Sequence, residues 1–410
     1  MKPFKSFEEL VGDFNKISSD FVINNPIFKA HTPKQKHQIA ETLSEHIEKV
    51  NKYALKLIEV NKLDKIVDSL IIDALSNQHE FINLHELSEF VKCLFARSII
   101  FHDYGKINPN FQVLKMSNKE FFELDNSIKI ESQHSALSAF IFIHYHIQET
   151  IHKENFNSTE RKFLWGMIFL FANPIFYHHS PFFEHKILPF EESVFNSLKR
   201  FLNEFKIETK ADNLFKPEQL NQIFSSLKNS YQFENYFPIF ALLKLNFSIL
   251  TASDYYATND YCNGYEVNDF GLIDSKLRID FIYNFWEKDF ISKDKENYNK
   301  KLLGEWGFYK TLPFNELGLR SNQNLNRLRQ KMLVEAIENI RVNKDKNLFY
   351  LEAPTGAGKT NLSIAVALEL LKENESFNKI FYVFPFNTLI TQTYSAVKDV
   401  LGLSNRHLSN

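Results

Sequence analysis

Residues 98–106 read SIIFHDYGK, and the reading of the first part of the chain turns on them. Phe95, Ile99 and Ile100 make the preceding segment an apolar helix, and a histidine and an aspartate, His102 and Asp103, stand at its end. An imidazole and a carboxylate closing such a run must be hydrogen-bonded, neutralised or metal-bound, because an unpaired buried charge is strongly unfavourable. A single His-Asp dipeptide is weak evidence, so further ligands should lie on other core-facing stripes.

Outward from this point, between about Lys34 and Asp260, apolar residues mostly recur at three and four, which predicts helices near 34–61, 84–104, 134–150, 160–172 and 238–257. The first part therefore reads all-α. His46 lies seven residues after Ile39, three after Leu43, four before Val50 and seven before Tyr53, which puts it within the apolar stripe of its helix. Asp254 follows Leu243, Phe247 and Leu250 by eleven, seven and four residues, so its carboxylate faces inward and needs a cation. His134 opens the helix HSALSAFIFIHYHI, and His178 and His179 end the segment FLFANPIFYHH just before Pro181. His37, nine residues from His46, falls on the opposite helix face and reads as a surface residue.

His46, His102, Asp103, His134, His178, His179 and Asp254 form a set of five imidazoles and two carboxylates with no thiolate. That donor set suits Fe, Mn, Co, Ni or Zn. Seven ligands exceed the usual complement of one ion, so two divalent ions sharing a carboxylate is the economical reading. The order H…HD…H…HH…D resembles the HD superfamily of metal-dependent phosphohydrolases. The adjacent His178-His179 and the HDYGK form are similar to the HD nuclease domain of the CRISPR-associated helicase-nuclease of type I systems. The resemblance implies that His46, His102, Asp103 and Asp254 hold one metal and that Asp103, His134, His178 and His179 hold the other, with Asp103 bridging. It also implies a catalytic part for Asp103 and for Lys106, whose ammonium would stabilise the scissile phosphate; capping the end of its helix is the alternative. His31, His79, His85, His144, His146, His152, His185 and His407 match no position of that motif and read as ordinary structural residues.

After Gln323 the texture changes. NLNRLRQKMLVEAIENI (324–340) reads as helix, NLFYLEA (347–353) as strand, PTGAGKT (354–360) as a glycine-rich turn, NLSIAVALELLK (361–372) as helix, KIFYVFP (379–385) as strand and NTLITQTYSAVKDV (387–400) as helix. APTGAGKT approximates a phosphate loop with Ala353 in the place of its first glycine. Amides of Thr355, Gly356, Ala357 and Gly358 would cradle phosphates, Lys359 would reach the β and γ phosphates, and Thr360 would hold Mg²⁺. The APTG lead-in resembles superfamily 2 helicases. That resemblance gives Gln330 the place of the adenine-reading glutamine, with a surface helix glutamine as the alternative, and makes Asn387, Thr388 and Gln392 polar contacts to a nucleic-acid backbone. No DExH box, coupling motif or arginine finger follows, so the resemblance covers the N-terminal portion of a longer helicase-nuclease, and this chain alone should not hydrolyse ATP.

Composition agrees. The chain has 410 residues with 48 Lys+Arg against 50 Asp+Glu, a net charge of −2, so nucleic-acid contact must come from local surfaces. Two distant cysteines, Cys93 and Cys262, exclude a thiolate zinc site. No signal core or transmembrane run is evident, which points to the cytoplasm and away from membranes. Forty-two phenylalanines with only 11 glycines fit helices around aromatic cores. The expected architecture is mainly α: a helical HD nuclease domain (20–262), a linker or interdomain element (263–322) and the first part of an α/β RecA-like helicase domain (323–410). Amphipathic pieces between 187 and 237 read as peripheral helices. The expected activity is a metal-dependent endonuclease cutting single-stranded DNA, with ATP and Mg²⁺ serving the complete protein and an RNA-guided surveillance complex as partner. An HD phosphohydrolase acting on nucleotides or cyclic dinucleotides is the alternative, and an adaptor that has no use for seven inward ligands is the remoter one.

Overall fold

A computed structural model describes residues 4–12, 25–76, 81–121, 134–152, 155–180, 236–292, 295–317, 322–383 and 387–402. The amphipathic pieces expected between 187 and 235 lie outside them. The fold is mainly α, and the chain divides into two units, Met1–Val267 and Asn268–Asn410.

In the first unit the long helices are Leu43–Val60, Leu63–Leu75, Leu84–Phe101, Ser135–His152, Ser158–Tyr177 and Tyr236–Asn263. The first of them starts nine residues later than the apolar spacing predicts, because Thr42 and Glu45 form a reciprocal cap. Thr42 Oγ1 accepts from the Glu45 amide at 3.2 Å and Glu45 Oε2 accepts from the Thr42 amide at 2.9 Å. Upstream of the cap, Lys29–His31 pairs antiparallel with Glu41–Thr42 and sets His31 opposite Glu41. Ile39 is therefore outside the helix and 85% exposed, and His37 sits in the left-handed region at φ 74° in a turn; it is a surface residue, though not by helix geometry. Leu63–Leu75 is a helix the spacing argument did not list.

A second reciprocal cap, Asn157 with Glu160, starts the Ser158–Tyr177 helix. Glu160 Oε1 also accepts from the amides of Ile82 and Asn83 at 2.8 Å, which ties this helix to the entry of Leu84–Phe101. Pro174 lies inside Ser158–Tyr177 and cannot donate to the Leu170 carbonyl. The Asn173 amide takes that place, donating to Phe169 O at 2.9 Å and Leu170 O at 3.3 Å, so the helix continues to the histidines at its end. Ile47, Val50, Leu94, Phe95, Phe142, Leu164, Phe171, Leu243 and Leu250 are almost wholly buried between these helices. Each contributes about 1.5–3 kcal/mol through its burial.

The second unit is built on Phe281, Phe285, Trp286, Leu302 and Tyr309, which pack with Leu333, Val334, Ile337, Leu362 and Leu368. The first five come from helices Ser275–Trp286, Tyr298–Gly304 and Trp306–Thr311, within the stretch read as a linker, so that stretch supplies about a third of this core. The helices Asn322–Val342, Lys359–Glu373 and Asn387–Leu401 agree with the sequence reading. The strands do not: 347–353 and the described part of 379–385 have no ladder partner among the described residues. Leu348, Tyr350, Phe381 and Val383 on these segments are exposed. A parallel strand exists only beside a neighbour about 4.8 Å away, so apolar composition alone did not produce one. No helix among the described residues is long and apolar enough to cross a membrane.

Candidate metal centre

Five helix-end or helix-face positions converge in the first unit. His46 projects from the first turn of Leu43–Val60, His102 and Asp103 follow the end of Leu84–Phe101, His134 precedes Ser135–His152, His178 and His179 follow Ser158–Tyr177, and Asp254 lies on Tyr236–Asn263. His46, His102 and Asp103 are at most 1% exposed. A glycine permits the closest of these approaches. Gly105 lies in the single turn Tyr104–Ile107 after Asp103, and a Cβ there would stand 2.0 Å from the His134 carbonyl oxygen. Its amide donates to Ser138 Oγ at 2.8 Å, so the HD turn lies directly against the start of the next helix.

Asp103 is the shared member. Its Oδ2 lies 3.2 Å from His46 Nε2, 3.4 Å from His102 Nε2 and 2.6 Å from Lys106 Nζ. Its Oδ1 lies 3.0 Å from His134 Nε2 and 3.6 Å from His178 Nε2. Asp254 Oδ1 completes the first group at 3.2 Å from His46 Nε2 and 3.9 Å from His102 Nε2. His179 Nε2 completes the second, 3.0 Å from His134 Nε2, which is in turn 3.4 Å from His178 Nε2. Within each group of four the ligand atoms lie within 4.8 Å of one another, a spacing at which each could hold a metal ion.

The donor chemistry fits divalent ions. His102 Nδ1 and His178 Nδ1 lie 2.7 and 2.6 Å from the Ile99 and Ile175 carbonyls, which can only accept. Those Nδ1 atoms therefore carry hydrogen, and each Nε2 lone pair points into the cluster. Imidazole nitrogens facing one another at 3.0–3.4 Å repel unless a cation or proton lies against both. Donors bound at about 2.1 Å to a tetrahedral ion are themselves about 3.4 Å apart, within the range found here. His102 Nε2 and both Asp103 oxygens are buried without a hydrogen bond of acceptable angle, despite the Lys106 ammonium nearby.

Electrostatics separates the two groups. Burial pushes the His134 imidazole down to about 4, and partial burial together with the neighbouring His178 and His134 brings the more exposed His179 to about 4 as well, so both are neutral and ligand-ready at pH 7. Burial opposes charge at His46 too, but the Asp103, Asp254 and Glu41 carboxylates packed around it raise it to about 10. Burial would raise the Asp103 carboxyl, yet Lys106 and the surrounding imidazoles hold it well below the usual range. Asp254 is likewise lowered, against its burial, chiefly by His46 and His102.

Sequence reasoning missed two residues here. His31 Nδ1 stands 2.7 Å from Glu41 Oε2, and the same oxygen is 3.3 Å from His46 Nδ1. The antiparallel register that joins them leaves no helical period to read. Lys106, open between two roles on sequence, has its ammonium buried at Asp103. His144 and His146 are buried in their helix away from the cluster, as ordinary structural residues.

In the second unit Gly358 opens the helix Lys359–Glu373 at φ 80° and Gly356 has φ 83°, both in the region that favours glycine. Thr355, Lys359 and Thr360 are exposed, while Ala357 is buried. Gln330 is 5% exposed, so it is not a surface glutamine. Arg329, which the sequence did not single out, donates from Nε and Nη2 to the Gly356 carbonyl at 2.9 and 2.6 Å and holds the turn. Gln392 is exposed, and the side chains of Asn387 and Thr388 lie outside the description.

The family model described as Cas3, HD domain, matches residues 28–224, and that described as Type III restriction enzyme, res subunit, matches residues 324–408. No curated protein and no solved structure is found to match the chain.

Proposed function

We propose that this chain, whose residues 28–224 match the Cas3 HD-domain family model and whose residues 324–408 match the Type III restriction enzyme res-subunit model, is a metal-dependent endonuclease acting on single-stranded DNA. The observation that carries the reading is the pair of four-ligand groups meeting on opposite oxygens of Asp103. His46, His102, Asp103 and Asp254 would hold one divalent ion, and Asp103, His134, His178 and His179 the other. Fe, Mn, Co, Ni and Zn all suit these donors. When bound, two such ions supply Lewis acidity that activates water and steadies the oxygens of a phosphodiester.

The chain's own residues do the rest. Backbone carbonyls of Ile99 and Ile175 fix the ring orientation of His102 and His178. Lys106 balances the Asp103 carboxylate, and its ammonium would stabilise a scissile phosphate held at the ions. Thr355, Gly356, Ala357, Gly358, Lys359 and Thr360 would bind ATP with Mg²⁺, and Gln330 its adenine, in a motor that feeds DNA to the centre. We assign the activity to CRISPR interference in the cytoplasm, with an RNA-guided surveillance complex as partner.

Metal-reconstituted chain incubated with single-stranded DNA, without ATP, should yield internal cuts that chelator abolishes. Elemental analysis should find about two ions in the wild type, about one in His178→Ala and nearly none in Asp103→Ala. Hydrolysis of nucleotides or cyclic dinucleotides with DNA left intact would assign the centre to the alternative phosphohydrolase reading. Cutting that survives in Asp103→Ala would place the chemistry elsewhere.

A further inference from the structure

Three of the proposed ligand imidazoles turn their second nitrogen to a group outside the cluster, and one of them differs from the others. His102 and His178 donate from Nδ1 to a carbonyl of their own helix. His46 Nδ1 instead faces a side chain, Glu41 Oε2, at 3.3 Å, a charge contact that lacks a hydrogen-bonding angle. The Glu41 carboxylate is 1% exposed and touches none of the seven candidate ligands but His46.

The surroundings of Glu41 are built to keep it there. Its Oε2 also accepts from His31 Nδ1 at 2.7 Å, and its Oε1 from Lys49 Nζ at 2.8 Å. The backbone is pinned on both sides: the antiparallel pairing sets His31 opposite Glu41, and the next residue, Thr42, caps the helix that carries His46. Tyr261 closes the group. Its ring stacks on His31 at 5.6 Å, the Lys49 ammonium lies 5.5 Å from its centroid, and its hydroxyl donates to the Ile39 carbonyl at 2.9 Å. A buried carboxylate is costly unless its oxygens are satisfied, and this one is satisfied on both.

We propose that Glu41 is the positioning residue of His46: its carboxylate beside Nδ1 favours the hydrogen there, leaves Nε2 facing Asp103 and Asp254, and makes the imidazole a stronger donor to the ion held by that group. The proposal rests on the two-ion reading above. A carboxylate behind a ligating imidazole fixes ring orientation and raises basicity, and its loss weakens metal affinity by about 10–100-fold. His31 and Lys49 act through Glu41 by fixing its carboxylate.

The test is zinc titration of the full chain by calorimetry, comparing wild type with Glu41→Gln and Glu41→Asp. The aspartate keeps the charge and withdraws it by one methylene. Glu41→Gln should bind two ions, one with unchanged affinity and one about 10–100-fold more weakly, and Glu41→Asp should weaken the same ion to an intermediate degree. The unchanged second ion serves as the check that each variant is folded. Nitrogen-edited NMR of the zinc-loaded wild type should show a His46 Nδ1 hydrogen slow to exchange, which exchanges faster in Glu41→Gln. Unaltered affinities for both ions in a wild type that binds two would overturn the proposal. A third ion per chain, lost in Glu41→Gln, would also overturn it, since His31, Glu41 and His46 would then be ligands themselves. A wild type that binds no metal would refute the two-ion reading instead.

Discussion

Replacing Asp103 by asparagine keeps the shape of the side chain and removes one charge, and the geometry sets what this costs even without metal. Lys106 is 5% exposed and its one ion-pair partner among the described residues is Asp103, at 2.6 Å. Removing one member of a buried pair leaves the other charge uncompensated, at about 3–5 kcal/mol. For a unit of this size each kcal/mol moves the midpoint by about 2–4 °C, so chelator-treated Asp103→Asn should unfold about 6–20 °C below the wild type at pH 7.

The pH dependence gives an internal check. The Asp103 carboxyl is held well below its usual range. Its stabilising contribution is therefore complete above the unfolded carboxyl's pKa of about 4 and is lost as pH falls through the folded value. The gap between wild type and Asp103→Asn should be widest near neutral pH and should narrow under strong acid. Adding Lys106→Met to Asp103→Asn should recover part of the loss, since the orphaned ammonium goes with it. The assay is calorimetric unfolding of the first unit's transition in wild type, both single variants and the double variant. A midpoint shift under about 3 °C at pH 7, or no recovery in the double variant, would refute the buried-pair argument.

Two further outcomes follow from the same geometry. Metal should enter the His46 group with release of about one proton at pH 7, because His46 is raised to about 10, and its apparent affinity should climb with pH up to that value. His134 and His179, held near 4, should release no protons on binding near pH 7, so the His134 group should show a shallower pH dependence than the His46 group; calorimetry in buffers of different ionisation heat separates the two, and equal slopes would contradict the assignment. Gly105→Ala should destabilise the first unit by about 1–3 kcal/mol or more and weaken the ion held by His134, whose carbonyl the new methyl would strike. Gly166→Ala, with open space around its Cβ, should be neutral or stabilising on the same thermal denaturation assay.

The candidate ligands were legible because five of the seven sit beside one another or at a helix end, where an imidazole or carboxylate closing an apolar run is conspicuous. His46 and Asp254 needed the helical period. Leu43, Val50 and Tyr53 do share the helix of His46, so its inward orientation holds although Ile39 lies outside that helix. The helix start was misplaced because apolar spacing continues across a cap, whereas the Thr42–Glu45 pair that stops it is a local hydrogen-bonding feature. His31 and Glu41 were illegible for a different reason: their contact arises from strand register across a loop. The segments 347–353 and 379–383 show the limit of composition, since β-branched and aromatic residues favour a strand only where a neighbour supplies the hydrogen bonds.

Charge balance explains how such a polar centre can form inside a helical core. Asp103, Asp254 and Glu41 bring three carboxylates, and Lys106, Lys49 and a proton on His46 face them. The Lys49 ammonium lies 2.8 Å from Glu41 Oε1, and Lys106 lies 2.6 Å from Asp103 Oδ2, so each lysine neutralises the carboxylate at its end of the cluster. The centre is thus close to neutral before any metal arrives, and the helices around it can fold without one, unlike small domains whose structure depends on a bound ion. Two divalent ions bring about four positive charges and expel about one proton, which leaves the loaded centre strongly cationic. The whole chain, at a net charge of −2, offers a polyanion no general attraction. On the proposed reading, the loaded centre supplies that attraction locally, so metal loading should govern how tightly single-stranded DNA binds as well as whether it is cut.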